Sequence, residues 1–163
     1  MSKAFTKEDE GPQADRLDDL PQSPHPNYVT PAGLAALQAR LRARHDDLAA
    51  LRGDDLDVKL PRAMAERDIR FLEERINRAI LVDPATQPKD TVAFGACVTV
   101  MDTDGRETDW RIVGEDDADP ARHLIAPFSP LAKALLGARV GDDVDWYKPG
   151  GVVTLTVAAI AFS

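Results

Sequence analysis

Ser129-Pro130-Leu131-Ala132-Lys133-Ala134-Leu135-Leu136-Gly137-Ala138-Arg139-Val140-Gly141-Asp142 reads as a short capped helix held between two strands. Ser129 stands at the N-cap, where its hydroxyl can take an orphan backbone N–H. Pro130 follows at the first helical position, where its missing donor costs nothing. Leu131, Leu135 and Leu136 form the apolar stripe of a helix laid on a sheet. Gly137 supplies the stop and Gly141-Asp142 the turn into the next strand. Alone, this stretch specifies a small α+β domain.

Outward from it the apolar period is two. Strands are expected at 143–147 and 152–162, around Pro149-Gly150-Gly151, where glycine permits positive φ. Upstream, His123-Leu124-Ile125 is a brief strand after a loop of Asp, Ala and Pro. Strands at 96–102 and 107–114 are joined through Asp102-Thr103-Asp104-Gly105, a hairpin turn. Trp110 and Trp146 fall on strands, in or beside the core. Residues 91–163 thus make one small antiparallel sheet domain with one short helix, preceded by a linker at 85–90.

Before the linker the period changes to that of helices. Thr30 caps and Pro31 opens a first helix running to about Arg52. Leu34, Leu37, Leu41, Leu48 and Leu51 form its seam, with His45 near the interrupted position. Gly53-Asp54-Asp55-Leu56-Asp57 breaks it. A second helix is expected from near Pro61 to about Leu81, with a seam of Ala65, Ile69, Leu72, Ile76 and Ala79. Two such arms and a short loop form an antiparallel helical hairpin over 28–84. It ends at Val82-Asp83-Pro84, because the residue before proline is pushed out of the helical region. Residues 1–27 are polar and punctuated by Pro12, Pro21, Pro24 and Pro26, so they read as a disordered or loosely attached tail.

The 163 residues carry 28 acidic against 20 basic side chains, a formal charge of −8. That balance argues against general duplex binding, which needs a basic face to displace phosphate counterions. The single cysteine, Cys97, cannot form an internal disulfide and sits in a strand pattern, so it reads as an inert thiol in a reducing compartment. No run approaches the roughly 18 apolar residues of a membrane span, so a cytoplasmic protein is expected. The sequence has no phosphate-binding glycine loop, zinc spacing or nucleophile–base pair, and His25, His45 and His123 are scattered.

Phe94-Gly95-Ala96-Cys97-Val98, Asp104-Gly105, Arg111-Ile112-Val113-Gly114-Glu115-Asp116 and Ser129-Pro130-Leu131-Ala132 with Ala134-Leu135-Leu136-Gly137 together resemble the C-terminal domain of the GreA/GreB transcription factors. The likeness is close over residues 90 to 163 and looser over 28 to 84. It implies an FKBP-like fold for the sheet domain and a coiled coil for the hairpin. It also implies a monomer that inserts this coiled coil into the secondary channel of bacterial RNA polymerase, as an accessory factor and not an enzyme. The stretch from Asp142 to Gly151 is similar to the end of Rnk, a shorter-armed relative that does not promote cleavage. An isomerase reading, suggested by the FKBP-like fold, needs aromatic pocket walls that this domain scarcely offers.

The resemblance assigns the candidate sites. Family members carry Gly-Asp-x-x-Glu-Asn at the hairpin tip, and its two acids help hold a second Mg²⁺ at the polymerase centre. This chain keeps Gly53-Asp54 and adds Asp55 and Asp57, but in neither possible match does a glutamate stand at the family's glutamate position. Three readings stay open for Asp54, Asp55 and Asp57: a solvated turn, an acidic plug without cleavage, or shared Mg²⁺ ligation through Asp55 and Asp57. Arms of roughly 21 residues span about 30 Å, shorter than the family's by roughly one to two heptads. A carboxylate even ~5 Å short cannot coordinate a metal whose oxygen ligands lie within about 2.6 Å. The expectation is therefore regulation of elongation or initiation without strong cleavage, with assisted cleavage of backtracked RNA as the alternative.

By the same resemblance Arg40, Arg44, Arg62, Arg67 and Arg70, with Arg78, form a basic strip facing the channel and the RNA 3′ end. Glu66–Arg70 and Glu74–Arg78 pairing on a solvated helix face is the plainer alternative. The loop Ile125-Ala126-Pro127-Phe128-Ser129-Pro130 would dock on the polymerase rim through Phe128, Ser129 and Pro130. For Phe128 the alternative is folding inward against the core.

Overall fold

The computed structural model describes residues 16–163, and the first half of the expected tail, residues 1–15, lies outside them. The chain is α+β and divides into two compact units. One comprises Leu37–Asn77 with the N-terminal segment up to Gln22; the other comprises Ser23–Ala36 and Arg78–Ser163.

The helical unit is built on α1 (Pro31–Ala50) from Leu37 onward and on α2 (Leu56–Asn77). The cap of α1 forms as expected, with Thr30 Oγ1 accepting from the Gly33 N–H at 3.0 Å. Gly53 reverses the chain at φ 80°, a conformation that disfavours any side chain. The helices pack antiparallel and are bridged by Arg44 Nη2 to Asp68 Oδ2 at 2.8 Å. Leu37, Ala65, Ile69 and Leu72 are buried, as their seam positions require. Ala63 and Arg75 are buried as well, which the seam did not indicate.

Both ends of α2 differ from expectation. The helix begins at Leu56, so Pro61 lies inside it and Asp57 stands in its first turn. The Val58 N–H bonds the Asp55 carbonyl at 3.0 Å, which closes that turn ahead of the proline. Proline removes one hydrogen bond near a helix start, and the acid in the first turn favours the helix dipole. At the other end α2 stops at Asn77. Ala79–Leu81 is a strand, β2, paired in parallel with β1 (Asn27–Val29). The helical period runs on through Ala79, but the segment finds a backbone partner about 50 residues upstream, a contact no local pattern encodes.

The sheet unit carries β3 (Ala96–Met101), β4 (Glu107–Ile112), β5 (Leu124–Ile125), β6 (Asp143–Lys148) and β7 (Gly151–Phe162), ordered β5-β4-β3-β7-β6. The expected strands all form, to within two residues at each end. The sheet is not wholly antiparallel: β5 runs parallel to β4. The chain between them passes through two single-turn helices, at Glu115–Asp117 and Pro120–Arg122, which bring it back in the same direction. The β3–β4 turn is fixed by Asp102, whose Oδ1 accepts from the N–H groups of Asp104 and Arg106 at 2.9 Å each. Strand alternation buries Ala96, Val98 and Val100 and leaves Cys97 half-buried on the other side. The core adds Ile112, Leu155 and Val157 from the sheet, and Leu131, Ala132 and Leu135 from α3 (Pro130–Leu135). Trp110 and Trp146 pack edge-on at 5.7 Å beside this core.

Candidate functional site

Three groups of residues singled out in the sequence can be located. The first is the hairpin tip. Asp54, Asp55 and Asp57 are exposed, the Asp54 side chain at 99 %. Arg62, on the first turns of α2, reaches back to the loop. Its Nη2 donates to the Gly53 carbonyl at 2.7 Å and its Nη1 lies 3.5 Å from Asp54 Oδ1. Arg62 thus steadies the turn that presents the carboxylates, and Asp54 already has a cationic neighbour. Carboxylate oxygens suit Mg²⁺, but among the described residues no three His, Cys, Asp or Glu side chains converge to hold a metal ion.

Beside the acids lies an apolar stripe that the sequence reading missed. Leu56, Leu60 and Met64 stand at i, i+4 and i+8 on α2 with 86 %, 58 % and 40 % of their surfaces exposed. The spacing was visible in the sequence. It went unread because the helix was expected to start at Pro61.

The second group is the arginines. Arg40 is exposed, and with Arg44 it borders a groove of about 260 Å³ lined also by Leu20, Ala43, Asp68 and Phe71. Arg44 Nη1 also meets Asp47 Oδ2 at 2.9 Å, and Arg67 Nη2 meets Asp68 Oδ1 at 3.4 Å. Arg70 donates from Nε to Asp19 Oδ1 at 2.6 Å and from Nη2 to the Leu17 carbonyl at 2.8 Å. Gln22 Nε2 donates to the Phe71 carbonyl at 3.2 Å. The Arg70 guanidinium, first by hydrogen bonding, holds the Asp19 carboxyl below its usual value. These contacts belong to the described part of the tail expected over residues 1–27. Residues 16–22 have no regular structure, yet they are pinned to α2. The sequence signal was the pair Leu17 and Leu20 within charged Arg16-Leu17-Asp18-Asp19-Leu20, apolar residues one helical turn apart.

The third group belongs to the sheet unit. Ser129 caps α3, its Oγ accepting from the Ala132 N–H at 3.3 Å and donating to the Ala126 carbonyl at 2.7 Å. Pro130 is exposed. Phe128 is half-buried, and its ring is stacked on His25 at 4.2 Å and faces Tyr28 at 6.3 Å. Arg78 Nη2 donates to the carbonyls of Ser23 at 3.1 Å and His25 at 3.4 Å. The same unit holds a cleft of about 540 Å³ lined by Pro31, Pro84, Ile112, Leu124, Arg111 and Arg122 among others. The walls are largely aliphatic and charged, with no aromatic ring among the lining residues.

The chain thus combines a helical hairpin with an acidic tip and a sheet unit that carries a capped helix. The family model for the C-terminal part of the GreA/GreB transcription elongation factors matches residues 87–162. Transcription elongation factor GreB of Neisseria meningitidis serogroup B is 35% identical, with 83% of this chain and 94% of the relative aligned. GreA of Rhodospirillum rubrum is 36% identical, over 82% of this chain and 96% of the relative. A solved GreA/GreB from Nitrosomonas europaea is 25% identical, covering 83% of this chain and 99% of that one, with a TM-score of 0.42. This chain belongs to the GreA/GreB family of transcription elongation factors. The alignment with the Neisseria protein runs 153 positions, and 83% of 163 residues is about 135. That relative therefore carries about 18 residues without a counterpart here. The same arithmetic for the Rhodospirillum protein, 151 positions against 82% of 163, gives about 17.

Proposed function

We propose that this chain binds bacterial RNA polymerase at its secondary channel and regulates elongation or initiation without strong stimulation of transcript cleavage. In this reading the α1–α2 hairpin is the family's coiled coil and enters the channel. The sheet unit is the FKBP-like domain and docks at the rim through Phe128, Ser129 and Pro130. Arg40, Arg44, Arg62, Arg67 and Arg70 face the channel and the nascent RNA 3′ end. The protein acts in the cytoplasm as a monomer.

The observation that carries the reading is the hairpin's length together with its tip. Helices of 20 and 22 residues span only about 30 Å each, and within the aligned span the relatives carry about 17 to 18 residues that have no counterpart here. No glutamate occupies the family's glutamate position, and Asp54 lies beside Arg62. Two-metal hydrolysis needs ligands placed to within tenths of an ångström. An acidic end that stops short occupies the channel and leaves the reaction to the polymerase.

The test is competition on stalled complexes. Adding this protein should suppress cleavage stimulated by a longer-armed GreB and release no RNA fragment itself. Release of short 3′ fragments, lost in Asp55→Asn or Asp57→Asn, would establish the alternative of assisted cleavage through shared Mg²⁺. No effect on GreB and no binding to core polymerase would remove both.

A further inference from the structure

We propose that residues 16–25 form an autoinhibitory strap, which in the free protein occupies the surfaces proposed above to engage polymerase and RNA. The inference rests on that functional reading and adds its regulation.

Two sets of contacts support it, one in each unit. In the helical unit, Arg70 is engaged twice, by the Asp19 carboxylate and by the Leu17 carbonyl. Leu20 forms part of the wall of the groove that Arg40 and Arg44 also line, and Gln22 ties down the end of the segment on the Phe71 carbonyl. In the sheet unit the same segment continues. Ser23 and His25 take Arg78 through their carbonyls, and Ser23 Oγ donates to Glu115 Oε1 at 2.9 Å. The His25 ring lies nearly parallel to Phe128, at an interplanar angle of 12°, on the residue proposed as the docking anchor.

The chemistry of the strap imitates a partner. Asp19 presents a carboxylate where an RNA phosphate would sit, and the Leu17 carbonyl takes a second donor of the same guanidinium. Leu20 and His25 supply the apolar contacts. The attachment is suited to release. The Asp19 side chain is 64% exposed, and exposed ion pairs contribute little to stability. A polyanion of many phosphates outcompetes one carboxylate by counterion release and by number. The strap therefore holds the surface closed against weak encounters and gives way to the specific partner.

Hiding a surface lowers apparent affinity by the fraction of time it is covered. A strap closed about four-fifths of the time weakens binding about fivefold. The full-length protein and its full-length double variant Asp19→Ala/Leu20→Ser are titrated against fluorescent core RNA polymerase. The expected result is binding about fivefold tighter for the variant, and tighter again when His25→Ala is added. Asp19→Asn alone keeps Leu20 in place and serves if the double variant melts early; its expected gain is about twofold. If wild type binds and the variants bind equally or more weakly, the strap is overturned as an inhibitor while the polymerase reading stands. If neither wild type nor variant binds, the functional reading falls and the strap proposal falls with it.

Discussion

Arg70 and Asp19 meet at 2.6 Å across 51 residues of sequence. The contact converts part of what reads as a loose tail into a segment with a defined place. Because Arg70 lowers the Asp19 pKa, the folded chain favours the charged carboxylate. A group with a depressed folded pKa contributes above its unfolded pKa and loses that contribution as pH falls through the folded one. Amide protection of residues 17–22, corrected for the intrinsic pH dependence of exchange, should therefore be constant near neutrality. It should fall once the pH drops below the usual aspartate range. Asp19→Asn should remove that acid dependence.

Arg62 is expected to act on the tip and not on the whole fold. Arg62→Ala removes the bond to the Gly53 carbonyl and the neighbour of Asp54. Partly exposed contacts of this kind are worth about 1 kcal/mol or less. The melting temperature should shift by only a few degrees, while amides over 51–57 should exchange several-fold faster. Equal exchange in wild type and variant would show that Gly53 and the helix ends hold the turn unaided.

Pro61 within α2 suggests a stabilising change. Proline at this position leaves the Asp57 carbonyl without its helical donor, and the deficit in a helix interior is about 3 kcal/mol. Near the helix start Pro61→Ala should recover part of that, about 1 kcal/mol, and raise the denaturation midpoint. An unchanged or lower midpoint would mean that the ring's packing outweighs the lost bond.

Burial separates the two classes of leucine. Leu135 is fully buried in the sheet core, so Leu135→Ala should destabilise by about 2–5 kcal/mol. Leu60 is 58 % exposed, and Leu60→Ser should change stability by about 0.5 kcal/mol or less. Urea midpoints measure both. A large loss in Leu60→Ser would show the stripe packed and not open to a partner.

Much of this architecture was legible in the sequence because it rests on local chemistry. Thr30-Pro31 and Ser129-Pro130 start helices through caps that form within three residues. The strands of the sheet followed from period-two burial, and the β3–β4 turn from Asp102 and Gly105. The acidic tip was also plain. What was misread depended on distant partners. Ala79–Leu81 continues a helical pattern but pairs with Asn27–Val29. Pro61 signals a helix start, yet α2 begins earlier because the turn at Gly53 and the first-turn bond from Val58 allow it.

By itself the sequence determined the two element periods, the caps and turns, and the short acidic-ended hairpin. Those properties arise from backbone preferences and side-chain spacing over a few residues. Only the tertiary structure decided where Asp19, Leu20 and His25 lie, and so which arginines and which face of Phe128 are engaged within the chain. Weak, exposed, long-range contacts carry no periodic signature. They form because a fold already built brings the two surfaces within reach, which lowers the entropic cost of joining them.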